Sequence, residues 1–350
     1  MKAVCKKYIL QFKVPGGTSR GILTQKETWF IILKDTEGYG IGECGLLRGL
    51  SFDDVPDYGD RVQWACDHID LGLDSLLEEL KSFPSIQFGL EQAFRSLSSK
   101  DPYELFPSPF TTKEAAIPIN GLIWMGDPEY MVQQVETKLK SGFTCLKMKI
   151  GALDFETELG ILKSIRQRFS KTDIELRVDA NGAFDPKEAP KRLERLAALD
   201  IHSIEQPIKA GNPSAMAELC RLTPLPIALD EELIGVLGVT EREELLQTIQ
   251  PQYIILKPSF IGGFLGTQNW ISLAEDQGIG WWITSALESN IGLNAIAQFT
   301  FGLNPKIPQG LGTGGLFTNN FEGPLQVDQG QLLYKNGLSW PPNVIEGLCT

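Results

Sequence analysis

The sequence predicts an α/β fold in which a parallel β/α barrel follows a smaller α+β unit. Up to about residue 114, strand-like segments precede segments of helical periodicity. From about residue 115, short apolar segments alternate with longer amphipathic ones, and consecutive strand candidates begin roughly 25 to 30 residues apart, the length of one strand–helix unit. Eight such strands in fewer than 200 residues favour a closed barrel. An open, doubly wound sheet is the structural alternative.

The N-terminal unit is predicted to begin with antiparallel strands. β-Branched and aromatic residues predict three strands, at 5–14, 26–34 and 38–44. Apolar residues at helical spacing predict two helices, at 62–80 and 85–97. The segment 15–21 contains Pro15 and three glycines, so we expect a flexible connection between the first two strands.

The barrel elements follow in order along the chain. The predicted strands are 116–120, 145–150, 174–179, 203–205, 227–230, 253–257, 281–284 and 307–309. Helical patterns between them include 128–141, 155–169, 186–199, 239–250, 266–277 and 290–301. We therefore predict three parts: an α+β unit over 1–114, a barrel over 115–320, and a C-terminal segment over 321–350 that returns to the first unit.

Composition excludes several classes of protein. The 350 residues include 32 Lys+Arg and 44 Asp+Glu, a formal net charge of −12, and a net-acidic protein is a poor partner for nucleic acid. No stretch reaches the ~18 uninterrupted apolar residues of a membrane span, and the first ten residues resemble a strand more than a signal peptide. The 6 cysteines are scattered, without metal-ligand spacing. We expect a cytoplasmic protein without nucleic-acid or membrane partners.

Charged side chains end five consecutive strand candidates. These residues lie 30, 26, 25 and 27 positions apart and are Lys149, Asp179, Glu205, Asp230 and Lys257. The C-terminal ends of barrel strands carry the active sites of barrel enzymes, so we expect the five charges to surround one mouth. Lys147 lies two residues before Lys149 and therefore shares its face of the strand.

The residue types at this mouth predict metal-assisted proton transfer. Three carboxylates without a nearby thiol or imidazole suit a hard divalent cation, so Asp179, Glu205 and Asp230 are candidate ligands of Mg²⁺, with Mn²⁺ as a substitute. Two lysines flank them on one side in strand order, and Lys257 flanks them on the other. An ammonium group near other cations has a lowered pKa, which lets the amine act as a base. Metal and lysines together can stabilise the charge formed when a proton is removed next to a carboxylate.

Five short motifs around these residues resemble those of the enolase superfamily, in its muconate-lactonizing-enzyme subgroup. They are Lys147-Met148-Lys149, Val178-Asp179-Ala180-Asn181, Ile204-Glu205-Gln206-Pro207, Asp230-Glu231 and Leu256-Lys257-Pro258. The resemblance spans nearly the whole chain. It implies a modified barrel of the (β/α)7β type, an N-terminal capping domain that the C-terminal tail completes, and Mg²⁺ with a lysine base.

The resemblance also implies a role for each side chain. Lys149 removes the proton next to a substrate carboxylate and, as the ammonium, protonates a departing hydroxyl on the same face. Lys257 stabilises the intermediate from the other face, and Lys147 lowers the pKa of Lys149. Asn181 and Arg177 are implied to make polar contacts near the substrate.

Three further segments point to a reaction within the subgroup. Residues 84–91, 285–292 and 310–320 resemble the dehydratases that act in menaquinone biosynthesis. This implies a small-molecule carboxylate substrate, 2-succinyl-6-hydroxy-2,4-cyclohexadiene-1-carboxylate, and the loss of water from it. Dipeptide epimerases and N-acylamino acid racemases keep the same lysines and carboxylates and are the alternative. A non-catalytic member that only binds a ligand is a third hypothesis.

Some candidate residues have a second interpretation. Glu231 is an alternative to Asp230 as the third ligand, although strand parity sends adjacent residues to opposite faces. Ser285 and Ser289 are candidates to contact the succinyl carboxylate, but serines after a strand are often helix caps.

Two glycine-rich segments complete the candidates. Gly312 is a candidate substrate contact, although residues 310–315 also spell GxGxxG; a dinucleotide site would need a following helix, which the sequence there does not predict. The segment 16–21 resembles the capping loop that closes over the substrate in the subgroup.

Overall fold

The structure is a computed structural model that describes residues 1–18, 21–36 and 38–349. The N-terminal unit contains an antiparallel sheet in the order β1-β2-β3, followed by helices. Its elements are β1 (Lys2–Thr18), β2 (Gly21–Lys34), β3 (Tyr39–Cys44), α1 (Tyr58–Asp67), α2 (Leu73–Glu79), α3 (Pro84–Ser98) and α4 (Pro109–Thr112).

Two features of this unit differ from the prediction. The segment 15–21 was expected to be a loop, but β1 and β2 continue into it as a long hairpin, and their pairing shifts register next to Pro15. Residues 19 and 20 of the expected capping loop lie outside the described residues. The helix predicted over 62–80 is two helices, α1 and α2, because the chain turns at Gly72 with a φ of 81°.

The barrel sheet has seven parallel strands in the order β11-β10-β9-β8-β7-β6-β5. Its strands, with a short strand before them, are β4 (Ile117–Pro118), β5 (Gly121–Ile123), β6 (Cys145–Lys149), β7 (Glu175–Asp179), β8 (Ser203–Glu205), β9 (Ile227–Leu229), β10 (Tyr253–Leu256) and β11 (Gly280–Ile283). The helices are α5 (Pro128–Lys140), α6 (Phe155–Arg168), α7 (Ala189–Ala197), α8 (Pro213–Leu222), α9 (Val239–Ile249), α10 (Pro258–Ile261), α11 (Gly263–Asp276) and α12 (Asn290–Gly302).

The eighth strand was predicted over 307–309. The barrel closes there through two single-residue bridges, at Gln309 and at the following residue, Gly310. Gln309 forms a parallel bridge with Ile119, and Gly310 forms one with Thr284. The Gln309 carbonyl accepts a 2.9 Å hydrogen bond from the Asn120 amide. The closed parallel barrel is confirmed. The strand predicted over 116–120 is not its first strand, because Ile117–Pro118 pairs antiparallel with Gln331 and Leu332, and the first strand of the barrel sheet begins at Gly121.

The barrel wall is buried on both sides, as expected for parallel strands covered by helices. A large apolar cluster lies between the strands and the outer helices. A small separate cluster of Ala228, Ile255 and Trp282 lies on the other face of β9, β10 and β11. All five residues of β6 are buried, including its two lysines, so the inner face must also hold charged groups.

The C-terminal residues contact both larger units. The hairpin of β12 (Leu325–Asp328) and β13 (Gln331–Tyr334) pairs with β4. Trp340 and residues of the terminal helix α13 (Val344–Cys349) share an apolar cluster with Phe30, Ile32 and Ile41 of the N-terminal sheet. The boundaries proposed at residues 114 and 320 stay a prediction. Within the described ranges, no helix has the length and apolar character needed to cross a membrane.

Candidate active site

The parallel register brings the predicted charged residues to one end of the barrel. Lys149 pairs with Asp179, and Asp179 pairs with Glu205, across β6, β7 and β8. Asp230 and Lys257 directly follow β9 and β10, the next two strands of the sheet. Between 1% and 14% of each of these side chains is exposed. The barrel therefore holds five charges in an environment largely shielded from water.

Two of the lysines share one carboxylate oxygen. Lys149 Nζ lies 3.0 Å from Asp179 Oδ2 and 2.7 Å from Asn181 Oδ1. Lys147 Nζ lies 3.2 Å from the same Asp179 oxygen and also donates to Glu205. Asn181 thus helps to fix the Lys149 amine in one position at the mouth.

The third lysine lies on the opposite side of the carboxylates. Lys257 Nζ donates to Asp230 Oδ2. Ala228, two residues before Asp230, belongs to the inner apolar cluster, so strand parity directs Asp230 to the same inner side. Glu231 accepts a 3.1 Å hydrogen bond from Asn181 Nδ2 at the rim. We therefore keep Asp230 as the proposed third ligand, whereas Glu231 is bonded to the Asn181 side chain.

Burial and crowding shift the pKa values of these groups. Burial lowers the pKa of Lys147, but the charges of Asp179 and Glu205 outweigh it and hold that pKa above its usual value. Burial tends to raise the pKa of Asp179, yet the charges of Lys147 and Lys149 bring it well below its usual range. Burial and the charges of Asp179 and Asp230 raise the pKa of Glu205 well above normal. The pKa of Lys147 is therefore raised by the carboxylates, whereas the sequence predicted that neighbouring lysines would lower the pKa of an amine here.

A cavity of about 520 Å³ opens at this end of the barrel. Lys147, Lys149 and Lys257 line its floor together with Asp179 and Glu205. The β1–β2 hairpin and the loop 47–50 line the opposite side. The structure thus brings the predicted lysines and two of the three predicted carboxylates to one cavity that a small molecule can enter, and Asp230 contacts Lys257 without lining it.

Some of the predicted substrate contacts also lie at this cavity. Asn181, Ser285 and Gly312 line it, and Ser285 Oγ lies 2.6 Å from Thr313 Oγ1, which also lines it. Sequence reasoning missed Asn120, the residue before β5, which also lines the cavity. A polar residue at the end of an apolar strand candidate was the signal that could have identified it.

The structure corrects two of the predicted contacts. The guanidinium of Arg177 donates to Glu175 Oε1 at 2.7 Å and to the Pro308 carbonyl at 2.9 Å, and it stacks over Trp282. Arg177 shares the face of Asp179, but its long side chain turns toward the other end of the barrel. Ser289 caps α12, donates to Glu43 and does not line the cavity. The helix-cap interpretation of Ser289 is the correct one.

The donor set fits a divalent cation. Glu205 Oε1 is buried and accepts no hydrogen bond from any described residue, and a buried carboxylate oxygen without a donor is the type of group that a cation stabilises. Close like charges raise the pKa of Glu205, and a cation would relieve that repulsion. No three acidic, imidazole or thiol groups of the described chain converge at ligand distance, because the lysines contact the carboxylates. Binding would require the flexible lysine side chains to withdraw.

Comparisons with known proteins agree with this geometry. The family model described as enolase C-terminal domain-like matches residues 130–341. The o-succinylbenzoate synthase of Desulfotalea psychrophila is 48% identical over 92% of this chain and 96% of that protein. The crystal structure of MenC from Desulfotalea psychrophila LSv54 superimposes with a TM-score of 0.85, at 44% identity, over 95% of this chain and 99% of that one.

A more distant structure shares the fold. The dipeptide epimerase of Cytophaga hutchinsonii, crystallised with Mg and the dipeptide D-Ala-L-Val, gives a TM-score of 0.83 over 99% of this chain and 97% of that one. At 20% identity, this likeness concerns the fold alone.

Fold and site together define a class, the barrel enzymes that carry carboxylates and lysines at the C-terminal ends of their strands. The chain belongs to the enolase C-terminal domain-like family, within the enolase superfamily. The predicted resemblance to that superfamily is confirmed.

Proposed function

We propose that the chain catalyses the o-succinylbenzoate synthase reaction, in which 2-succinyl-6-hydroxy-2,4-cyclohexadiene-1-carboxylate loses water to form 2-succinylbenzoate. The observation that carries this proposal is the placement of Lys149 and Lys257 on opposite sides of three buried carboxylates at one cavity. The relative from Desulfotalea psychrophila supports the choice of reaction, because its similarity covers almost the whole of both chains.

The proposed mechanism begins with binding of the ring carboxylate at the acidic end of the cavity. Asp179, Glu205 and Asp230 would hold Mg²⁺, which when bound supplies positive charge to a substrate carboxylate and to the charge that develops on it. The buried setting strengthens these interactions, because little water remains to screen them. The three lysines then have to be withdrawn from the carboxylates that they contact.

Lys149 is the proposed base. Its neutral amine takes the proton from the ring carbon next to the carboxylate, and Asn181 Oδ1, 2.7 Å from Nζ, holds the amine in place. The resulting ammonium gives the proton to the hydroxyl on the neighbouring carbon, the C–O bond breaks, and water leaves. The ring becomes aromatic, and Lys149 returns to the neutral amine.

Lys257 and Lys147 act by charge in this proposal. Lys257 faces the ring from the other side and, as an ammonium, stabilises the negative charge that proton removal creates. Carboxylates hold the pKa of both lysines above its usual value, although burial acts in the opposite direction. These raised pKa values belong to lysines in contact with the carboxylates, and in the proposed mechanism both lysines act as ammonium groups, which suits electrostatic stabilisation.

The test is an assay of the purified protein in Mg²⁺ with the cyclohexadiene substrate and, separately, with a panel of dipeptides. We expect absorbance changes that report formation of 2-succinylbenzoate, and loss of turnover after treatment with a chelator. Opposed lysines would also suit epimerisation. Rapid dipeptide epimerisation without any 2-succinylbenzoate would therefore reject the dehydratase in favour of the epimerase.

A further inference from the structure

One side chain at the cavity has no hydrogen-bond partner among the described residues. Asn120 is 6% exposed and lines the cavity. Its Oδ1 atom is buried without a hydrogen bond, and its amide makes no side-chain hydrogen bond to the described residues. Oδ1 is an acceptor and needs a donor, so the group that Asn120 can offer to a ligand oxygen is Nδ2, which donates to none of the described residues.

Backbone contacts fix the position of Asn120. Its backbone amide donates to Gln309, at the seam where the barrel closes. Asn120 and Leu122 share a face of the chain, and Leu122 pairs with Lys147 on β6. Since β6 separates β5 from the strands that carry the carboxylates, Asn120 lies across β6 from the proposed metal ligands.

The cavity near the seam where the barrel closes is lined by uncharged groups of the segments 284–287 and 310–316, and basic side chains, Lys13, Arg48 and Lys138, line other parts of it. Gly312 has no side chain to fill this space, and a Cβ added there would lie 3.6 Å from the Asn120 carbonyl oxygen. Ser285 and Thr313 also line the cavity, but their hydroxyl groups are bonded to each other at 2.6 Å. Asn120 is therefore the amide that stays available to a ligand here.

We propose that Asn120 binds the succinyl side chain of the substrate, with Nδ2 donating to its keto or carboxylate oxygen. This inference rests on the proposed function. The ring carboxylate is drawn to the proposed metal ligands, which leaves the succinyl end of the substrate to lie on the other side of β6, where Asn120 lines the cavity. An amide can donate to either oxygen there after rotation about its last side-chain bond. Asn120 would thus select substrates that carry an acyl side chain next to the ring carboxylate.

The experiment compares Asn120→Leu with the wild type by calorimetric titration in Mg²⁺, using 2-succinylbenzoate and benzoate as probes. We expect about tenfold weaker binding of 2-succinylbenzoate and unchanged binding of benzoate, which has no side chain to lose a contact. In turnover, KM should rise by a similar factor, with kcat nearly unchanged. The melting temperature should not fall, because leucine removes an unpartnered buried amide.

Asn294→Leu is the matched control. Asn294 is equally buried, but it donates to the Tyr103 carbonyl and accepts from Gln298, so its replacement should lower the melting temperature and leave both affinities unchanged. Equal losses for both probes in Asn120→Leu, or no loss for either, would overturn the inference; the second result would mean that Asn120 holds only water. No binding of 2-succinylbenzoate by the wild type would overturn it as well.

Failure of the proposed function gives a different result. If the wild type binds 2-succinylbenzoate in an Asn120-dependent way but does not form it from the cyclohexadiene, the assignment of the reaction is wrong and the Asn120 contact stands. If the wild type forms 2-succinylbenzoate but Asn120→Leu behaves as the wild type, the reaction stands and the contact is wrong.

Discussion

Neither histidine of the chain lines the cavity, which agrees with the proposal that a lysine transfers the proton there. His68 stacks on Trp64 with ring centroids 4.4 Å apart, and its Nδ1 lies 2.9 Å from the Trp64 carbonyl oxygen. His202 Nδ1 lies 2.9 Å from Ser203 Oγ, and its ring packs on Tyr253. Both imidazoles are thus engaged in local packing, and the basic groups at the cavity are lysines and Arg48; the lysines of β6 and the lysine after β10 are the ones that contact the buried carboxylates.

Replacement of Lys149 by alanine tests the proposed base. Since no other amine of the described residues donates to Asn181 Oδ1, we expect Lys149→Ala to lower kcat by about 10²- to 10⁴-fold in the dehydration assay. Lys163→Ala, on the exposed face of α6, is the control and should keep wild-type turnover. Unchanged turnover of Lys149→Ala would mean that the base is another residue.

Glu205→Gln tests the proposed metal site. The change keeps the shape of the side chain but removes one of three carboxylate charges, and Mg²⁺ binds more weakly to neutral oxygens. We expect an affinity for Mg²⁺ at least about tenfold weaker, measured by titration calorimetry without substrate. Exposed Glu79, on α2, provides the control Glu79→Gln, which should bind Mg²⁺ as the wild type does. Equal affinities in all three proteins would remove Glu205 from the ligand set.

At the scale of elements, spacing and strand parity predicted the five charges at the barrel mouth, because each depends on local sequence alone. The same rules failed where the position of a side chain depends on its length or on contacts with residues distant in the sequence. Parity placed Arg177 on the face of Asp179, but the sequence does not reveal that Glu175 and Pro308 hold its guanidinium. Ser289 is held by Glu43 from another sheet. The eighth strand was predicted over 307–309, whereas the barrel closes through single bridges at Gln309 and Gly310.

Glu91 links two helices and should make stability depend on pH. From α3 it accepts hydrogen bonds from the backbone amides of Phe264 and Leu265 at the start of α11. Burial raises the pKa of Glu91 to about 7, although these hydrogen bonds act in the opposite direction. The folded chain therefore holds this proton more tightly than the unfolded chain. Stability that depends on the protonated form is lost as the pH rises through the interval from the ordinary carboxyl pKa to about 7.

Urea unfolding of the wild type and Glu91→Gln at pH 5 and pH 8 measures this effect. We expect the unfolding free energy of the wild type, relative to the variant, to fall by about 2 to 3 kcal/mol between the two pH values. Glutamine stays neutral throughout, so the difference isolates ionisation of Glu91. Glu79→Gln serves again as the exposed control and should follow the wild type. A constant difference between wild type and Glu91→Gln would show that this carboxyl ionises alike in both states.

For the whole molecule, the N-terminal unit and the barrel share a buried polar joint. Glu43 of β3 accepts hydrogen bonds from the backbone amides of Ser289 and Gly292 at the start of α12. Glu288 accepts from Ser259, which follows Lys257 by two residues. Burial lowers the pKa of Lys26, while the charges of Glu43 and Glu288 oppose that shift. The N-terminal unit is therefore attached to the barrel next to the segments that carry Lys257 and Ser285.

The N-terminal unit also covers the cavity with the β1–β2 hairpin. Val14, Ile22 and Leu23 of β1 and β2 line the cavity from above, and Gly17 forms an antiparallel bridge with Met125 of the barrel. A Cβ added at Gly17 would lie 2.5 Å from the Met125 carbonyl oxygen, which is too close for any side chain. The hairpin can therefore lie over the barrel mouth only with glycine at this position.

Gly17→Val should lift the hairpin from the barrel and open the cavity to water. Because a substrate bound in an open site is less well oriented, we expect kcat/KM to fall by about tenfold to a hundredfold. The melting temperature should change little, since Gly17 lies outside the apolar clusters that join β2 and β3 to the helices. Gly38→Ala is the control, because an added Cβ there meets no atom within 4 Å, and it should keep wild-type kinetics. Wild-type kcat/KM in Gly17→Val would show that turnover does not require the hairpin to contact Met125.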